Sequence, residues 1–164
     1  MIVTPASLVH NWKREIQKWL GPHRLRPEIV LSSNKKALVK AQVENFVRGN
    51  GKVKPALIVS YEMFVKIAPL MKSLSKSLLI CDEGHRLKSS GTYLFRVSYL
   101  DEEKNFLVSN TGTTKTMQAL CTFPSMRRLI ITGTPIQNDL EEFYNVVNFV
   151  NPTVRVLEIV KTLD

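Results

Sequence analysis

Residues 78–88 read LLICDEGHRLK. Four apolar residues run into two adjacent carboxylates, then a glycine, a histidine and a stretch carrying two cations. Neighbouring acids repel each other and must be solvated or neutralised. A cation held at the end of a buried strand does that. Asp82 at such a strand tip suits Mg²⁺, a hard ion that prefers oxygen ligands and retains waters. Glu83 beside it can then orient and deprotonate an attacking water while the ion offsets charge on a transferring phosphoryl group. An Asp-Glu pair alone fits a solvated acidic turn equally well. The preceding LLIC and the following Gly84-His85 favour the metal-edge reading.

Outward from that stretch, apolar strands alternate with helical periodicity. IVTP is a short β-rich run closed by proline, and Ser7 is placed to cap the helix after it. In that helix Leu8, Trp12, Ile16 and Trp19 recur at helical spacing, so both tryptophans are expected in the core rather than free to stack on bases. Gly21-Pro22 should end the helix. PEIVLSS (27–33) reads as a strand. KKALVKAQVENFVRGNG (35–51) reads as a helix with Leu38, Val39, Gln42, Val43, Phe46 and Val47 near one face. ALIVSYEMF (56–64) is a buried strand turning into a helix. SLLIC (77–81) and RRLIITG (127–133) are strands, and DLEEFYNVVNFVNP (139–152) is a closing helix. Strands without polar alternation, separated by helices, predict an α/β fold with a parallel sheet covered on both faces. Ligands of such sheets lie outside the carboxyl ends of the strands. TPAS, DEGH and TGTPIQN all fall there.

The chain has 164 residues, 44% hydrophobic, enough for one domain with a core. No window approaches ~18 uninterrupted apolar residues, and the start lacks the features of a secretory signal. A soluble intracellular chain without a membrane partner is expected. Cys81 and Cys121 have no cysteine or histidine at metal-ligand spacing, and Cys81 should be a buried thiol. The net charge is +9, and residues 1–54 hold 11 Lys/Arg against 3 Asp/Glu. A polyanionic partner and a merely lysine-rich surface fit that bias about equally. TGTTKT (111–116) lacks the G-x-x-x-x-G-K-[ST] pattern and is rejected as a phosphate loop.

Taken together, the motifs resemble the first ATPase lobe of the Swi/Snf-type helicase-like DNA translocases of helicase superfamily two. IVTPASLVHNWKREIQKWLG resembles motif Ia, ALIVSYEMF motif Ib, LLICDEGHRLK motif II and LIITGTPIQNDLEEFYNVVNFVNP motif III. The glycine in DEGH, with SYE and the long NW-helix, resembles the recombination-repair, Rad-fifty-four-type branch, with wording nearest its B-type paralogue. The resemblance implies a RecA-like, P-loop-NTPase-type parallel sheet. It implies that Asp82 binds Mg²⁺ through water and that Glu83 is the catalytic base. His85 would couple hydrolysis to Thr132, Gly133, Thr134 and Gln137. Pro5, Ala6, Ser7, Ser60 and Tyr61 would face duplex DNA, their helix starts offering backbone N–H groups to phosphates. ATP and Mg²⁺ as cofactors, recombination or chromatin proteins as partners, and a nuclear location are implied for the complete parent.

Three departures shape the expectation for this polypeptide. It begins at motif Ia and stops after motif III, without the phosphate loop or the second lobe's arginine finger, so residues 1–152 read as a partial ATP-binding lobe. GTYLFRVSYLDEEKNFLVSN stands between Ser90 and Thr111, giving an expected insertion at 91–110. TVRVLEIVKTLD leaves the family pattern, giving a divergent tail at 153–164. The chain is therefore expected to be part of an ATP-driven double-stranded-DNA translocase acting in homologous recombination and repair, inactive alone. The alternative is a truncated or splice-variant, non-catalytic interaction module that keeps the basic face.

Overall fold

The computed structural model describes residues 1–49, 53–84, 114–133 and 146–151. Among the described residues five strands, β1 (Ile2–Thr4), β2 (Leu25–Val30), β3 (Lys54–Ser60), β4 (Leu78–Asp82) and β5 (Arg127–Ile131), form one sheet in the order β2-β3-β1-β4-β5. Every pairing is parallel. Helices α1 (Val9–Arg24), α2 (Lys36–Arg48), α3 (Tyr61–Ile67) and α4 (Lys115–Cys121) supply the crossovers. Residues 146–150 are also helical. The expected insertion at 91–110, the tail at 153–164 and the front of the closing helix lie outside the described residues.

The two-residue period of a strand sorts the core into two layers. Val3, Leu57, Val59, Leu79 and Cys81 point to one face, where Val39, Val43 and Phe46 of α2, Phe64 of α3, and Met117 and Leu120 of α4 cover them. Phe64 and Phe123 meet edge to face, with ring centres 5.5 Å apart. Ile2 and Ile58 point the other way and are covered by Val9 and Ile16 of α1, with Trp12 and Ile80 packed alongside. Burial in the first layer pushes the Cys81 thiol pKa up to about 12, as befits a buried thiol.

Coverage of both faces holds for β1 and β3 but not throughout. α1 lies over β2 and β3, and on its side of the sheet Leu78, Leu129 and Ile131 remain 46%, 45% and 39% exposed. These belong to β4 and β5, beyond the reach of a single helix spread over the other strands.

Three local expectations are corrected, and a fourth, the helix stop at Gly21-Pro22, holds at Gly21. Ser7 does not cap α1; it lies inside a 3₁₀ turn, Ala6–Leu8, that feeds directly into the helix without a side-chain cap. Trp19 is 71% exposed, one turn beyond Ile16 at the margin of the buried line that Val9 and Ile16 form. Its indole Nε1 donates to Glu15 Oε2 at 2.9 Å, and the Lys18 ammonium lies 4.8 Å from the ring centre. Leu38 is half exposed, since Val39, Val43 and Phe46 already fill the buried line of α2. Gly21, at φ +65°, does break the helix, but Pro22–Arg24 coil once more before β2.

Arg128 locks the far side of the sheet. Its guanidinium donates to the carbonyls of Cys121 (3.2 Å), Phe123 (3.1 Å), Ser125 (3.0 Å) and Phe149 (3.3 Å). One side chain thus ties the end of α4, the following turn and the closing helix to β5.

The third letter of DEGH has a steric reason. Gly84 is buried, and a Cβ there would stand 2.3 Å from Ile130 Cγ2, closer than atoms can pack. Gly84→Ala should therefore cost about 1–3 kcal/mol through overpacking. In an Ile130→Ala background the added cost should largely vanish, measured by urea unfolding as a double-mutant cycle. Additive effects would show that Ile130 is not what excludes a side chain.

Candidate functional site

Parallel pairing brings the carboxyl ends of β3, β1, β4 and β5 side by side. Thr4 aligns with Ser60, and Asp82 aligns with Ile131. Asp82 follows Ile80 by two residues, so it shares the face covered by α1. On that helix Trp12 follows Val9 by three and precedes Ile16 by four, which turns the indole toward the same face. The two periods meet at one carboxylate. Asp82 Oδ2 accepts from the Trp12 indole Nε1 at 2.7 Å and from the Thr4 hydroxyl at 3.0 Å. Asp82 Oδ1 accepts from the backbone N–H of Glu83 at 3.0 Å. The Tyr61 hydroxyl donates to the Asp82 carbonyl oxygen at 2.6 Å. Side chains from β1, α1 and α3 thus hold one residue at the tip of β4.

Glu83 begins the turn at φ +54°, the left-handed region, which costs an L residue roughly 1–2 kcal/mol. Gly84 then carries the chain under Ile130. Thr132 and Gly133 follow β5 directly, the first partly buried and the second exposed. His85, Thr134 and Gln137 lie outside the described residues.

The residues expected to face DNA divide in two. Ala6 and Ser7 are exposed on the turn before α1, while Pro5 is buried at its start. Ser60 caps α3, its hydroxyl oxygen accepting from the Met63 N–H at 3.2 Å. Tyr61 is only 6% exposed, so its side chain braces Asp82 and leaves the surface to its neighbours. Thr114 caps α4 through the Met117 N–H, the turn chemistry of a helix start. Thr4 and Trp12 were missed as site residues. The signal was the shared face of Trp12, Val9 and Ile16 together with the Ile80–Asp82 parity.

Among the described residues, the Asp82 carboxylate leaves one direction open to a cation. Asp82 Oδ2 already accepts two hydrogen bonds and Oδ1 one, which leaves a single open direction on Oδ1. That suits a hydrated Mg²⁺ approached through water better than a directly chelated ion. Among the described residues no three His, Cys, Asp or Glu side chains gather into a metal-binding group.

The SNF2-related domain family matches residues 1–113 and 92–155. "DNA repair and recombination protein RAD54B" of Gallus gallus is 41% identical over 154 residues, covering 94% of this chain and 13% of that protein. "DNA repair and recombination protein RAD54-like" of Mus musculus is 38% identical over 153 residues, covering 92% of this chain and 17% of its own length. The chain thus spans under a fifth of the length of these relatives. Among solved structures, the "Sulfolobus solfataricus SWI2/SNF2 ATPase core in complex with dsDNA" matches at a TM-score of 0.59 and 18% identity, covering 93% of this chain and 25% of that one. That likeness establishes the RecA-like α/β fold.

Tyr61→Phe removes one hydroxyl and leaves the ring in place. The loss of its 2.6 Å bond should lower stability by about 1 kcal/mol. Urea unfolding followed by circular dichroism measures it, and an unchanged midpoint would show that the Asp82 carbonyl does not need the brace.

Proposed function

The chain belongs to the SNF2-related domain family, and on that premise we propose that it is part of the first ATPase lobe of a Rad54-type double-stranded-DNA translocase acting in homologous recombination and DNA repair. The observation that supports this reading best is the convergence at Asp82. Segments resembling motifs Ia, Ib and II meet there through named hydrogen bonds.

In this reading Asp82 Oδ1 holds Mg²⁺ through water, with ATP as the nucleotide. Bound Mg²⁺ would neutralise charge on the transferring phosphoryl group. Thr4 and Trp12 fix the carboxylate by occupying Oδ2, which leaves Oδ1 for the hydrated ion. Glu83, carried over the strand tip by its left-handed backbone, orients the attacking water and takes its proton. His85, Thr132, Gly133, Thr134 and Gln137 relay the state of the site to the rest of the lobe. Ala6, Ser7 and the start of α3 at Ser60 lie along duplex DNA, with Pro5 and Tyr61 setting the turns behind them. The partners are duplex DNA and recombination or chromatin proteins, and the location is the nucleus.

The 164 residues contain no G-x-x-x-x-G-K-[ST] run, so phosphate cradling depends on sequence outside them. Purified alone, the chain should show no duplex-stimulated ATP hydrolysis. Turnover that disappears in Glu83→Gln would contradict this.

DNA binding should be weak, on the order of 10⁻⁴–10⁻⁶ M, without sequence preference and steeply salt-dependent. Lys35 and Lys36 open α2 just after β2, which places them on the same carboxyl edge and makes them contributors. Arg48 ends α2 and so belongs to the opposite edge. Ser7→Ala should therefore weaken binding of a labelled duplex more than Arg48→Gln, although only the second removes a charge. The reverse order in an anisotropy titration would leave a diffuse basic surface in place of a tracking face.

A further inference from the structure

We propose that Trp12, assisted by Thr4, is a positioning residue that links the DNA-facing turn to the catalytic acid. This rests on the reading above that Ala6 and Ser7 lie along duplex DNA and that Asp82 serves the nucleotide site. Between those two places the chain is short and rigid. The 3₁₀ turn Ala6–Leu8 passes directly into α1, and its first carbonyl bond, Leu8 N–H to Pro5 C=O at 2.9 Å, fixes the entry. One helical turn further, the Trp12 indole donates to Asp82 Oδ2 at 2.7 Å. Just before the turn, Thr4 is fully buried and donates to the same oxygen at 3.0 Å.

Both neighbours of the exposed turn therefore end on one atom of the catalytic carboxylate. A displacement of the turn on DNA would move the two donors together, and a rigid indole cannot follow by rotating freely within the packed layer of Val9 and Ile16. Rotation of the carboxylate in turn redirects its remaining lone pair on Oδ1. The linkage runs both ways, because a coupling free energy between sites is reciprocal. A change at Asp82 must then alter DNA affinity through Trp12.

The first test is a double-mutant cycle on duplex affinity, read by anisotropy of a labelled duplex with Trp12→Phe, Asp82→Ala and both. Phenylalanine keeps the packing and deletes the N–H donor. Trp12→Phe should weaken binding about fivefold in the native background, and the effect should vanish once Asp82 is alanine. An equal effect in both backgrounds would mean that Trp12 serves only the packing of α1, and the linkage fails.

A second measurement does not depend on the Asp82 variant folding. The sequence has two tryptophans, Trp12 and Trp19, so Trp19→Phe makes Trp12 the sole reporter. Duplex titration should shift its emission at a midpoint matching the anisotropy curve, and Ser7→Ala should shift both midpoints together. Duplex binding with unchanged Trp12 emission overturns the linkage while leaving the DNA-facing reading intact. Absence of duplex binding overturns that reading and the linkage with it.

Discussion

The carboxylate of Asp82 is the constraint on which the rest of this lobe depends. Thr4 and Trp12 both donate to one of its oxygens, the Glu83 N–H donates to the other, and Tyr61 holds the carbonyl behind it. Thr4 is completely buried, and a buried donor left without an acceptor costs about 1–3 kcal/mol. The acid is therefore a structural tie in its own right. Hydrogen bonds to a charged acceptor are the strong kind, and here they join strands β1 and β4 with helix α1, while Tyr61 of α3 holds the backbone carbonyl of the same residue.

Geometry rather than chance puts those groups together. The strand period places Asp82 on the face of Ile80, and the helix period places Trp12 on the line of Val9 and Ile16. Once α1 packs on Ile2 and Ile58, the indole has little choice of position. On the opposite face, Arg128 performs a related task by gathering four carbonyls from three segments onto β5. The edge carrying Thr132 and Gly133 is thus held from below, and the tip carrying Asp82 from above. Between them Gly84 passes beneath Ile130, where no side chain fits.

Much of this was legible in the residues. Apolar runs without alternation announced the parallel sheet, and LLIC entering Asp-Glu announced a strand ending in a charged turn. Gly49 after α2 and Gly21 within α1 interrupt their helices where the sequence suggested. The failures have a common cause. Helical spacing says that residues share a face, but not how wide the buried stripe is. Trp19 and Leu38 sit at its margin and emerge into solvent. Ser7 looked like a cap because serine often is one, but the chain enters α1 through a 3₁₀ turn. The roles of Thr4, Trp12 and Tyr61 depend on contacts across 21 to 78 residues of sequence; local periodicity puts Trp12 and Asp82 on matching faces but does not say that they meet.

The most direct test of the central claim is the unfolding free energy of Asp82→Ala against the native chain, from urea denaturation without metal or nucleotide. Acids kept only for catalysis often cost stability, so their removal strengthens a fold. If Asp82 is the node described here, alanine strands the Thr4 hydroxyl and the Trp12 indole, and stability should fall by about 2 kcal/mol or more. An unchanged or increased unfolding free energy would contradict the account, since the carboxylate would then hold nothing together.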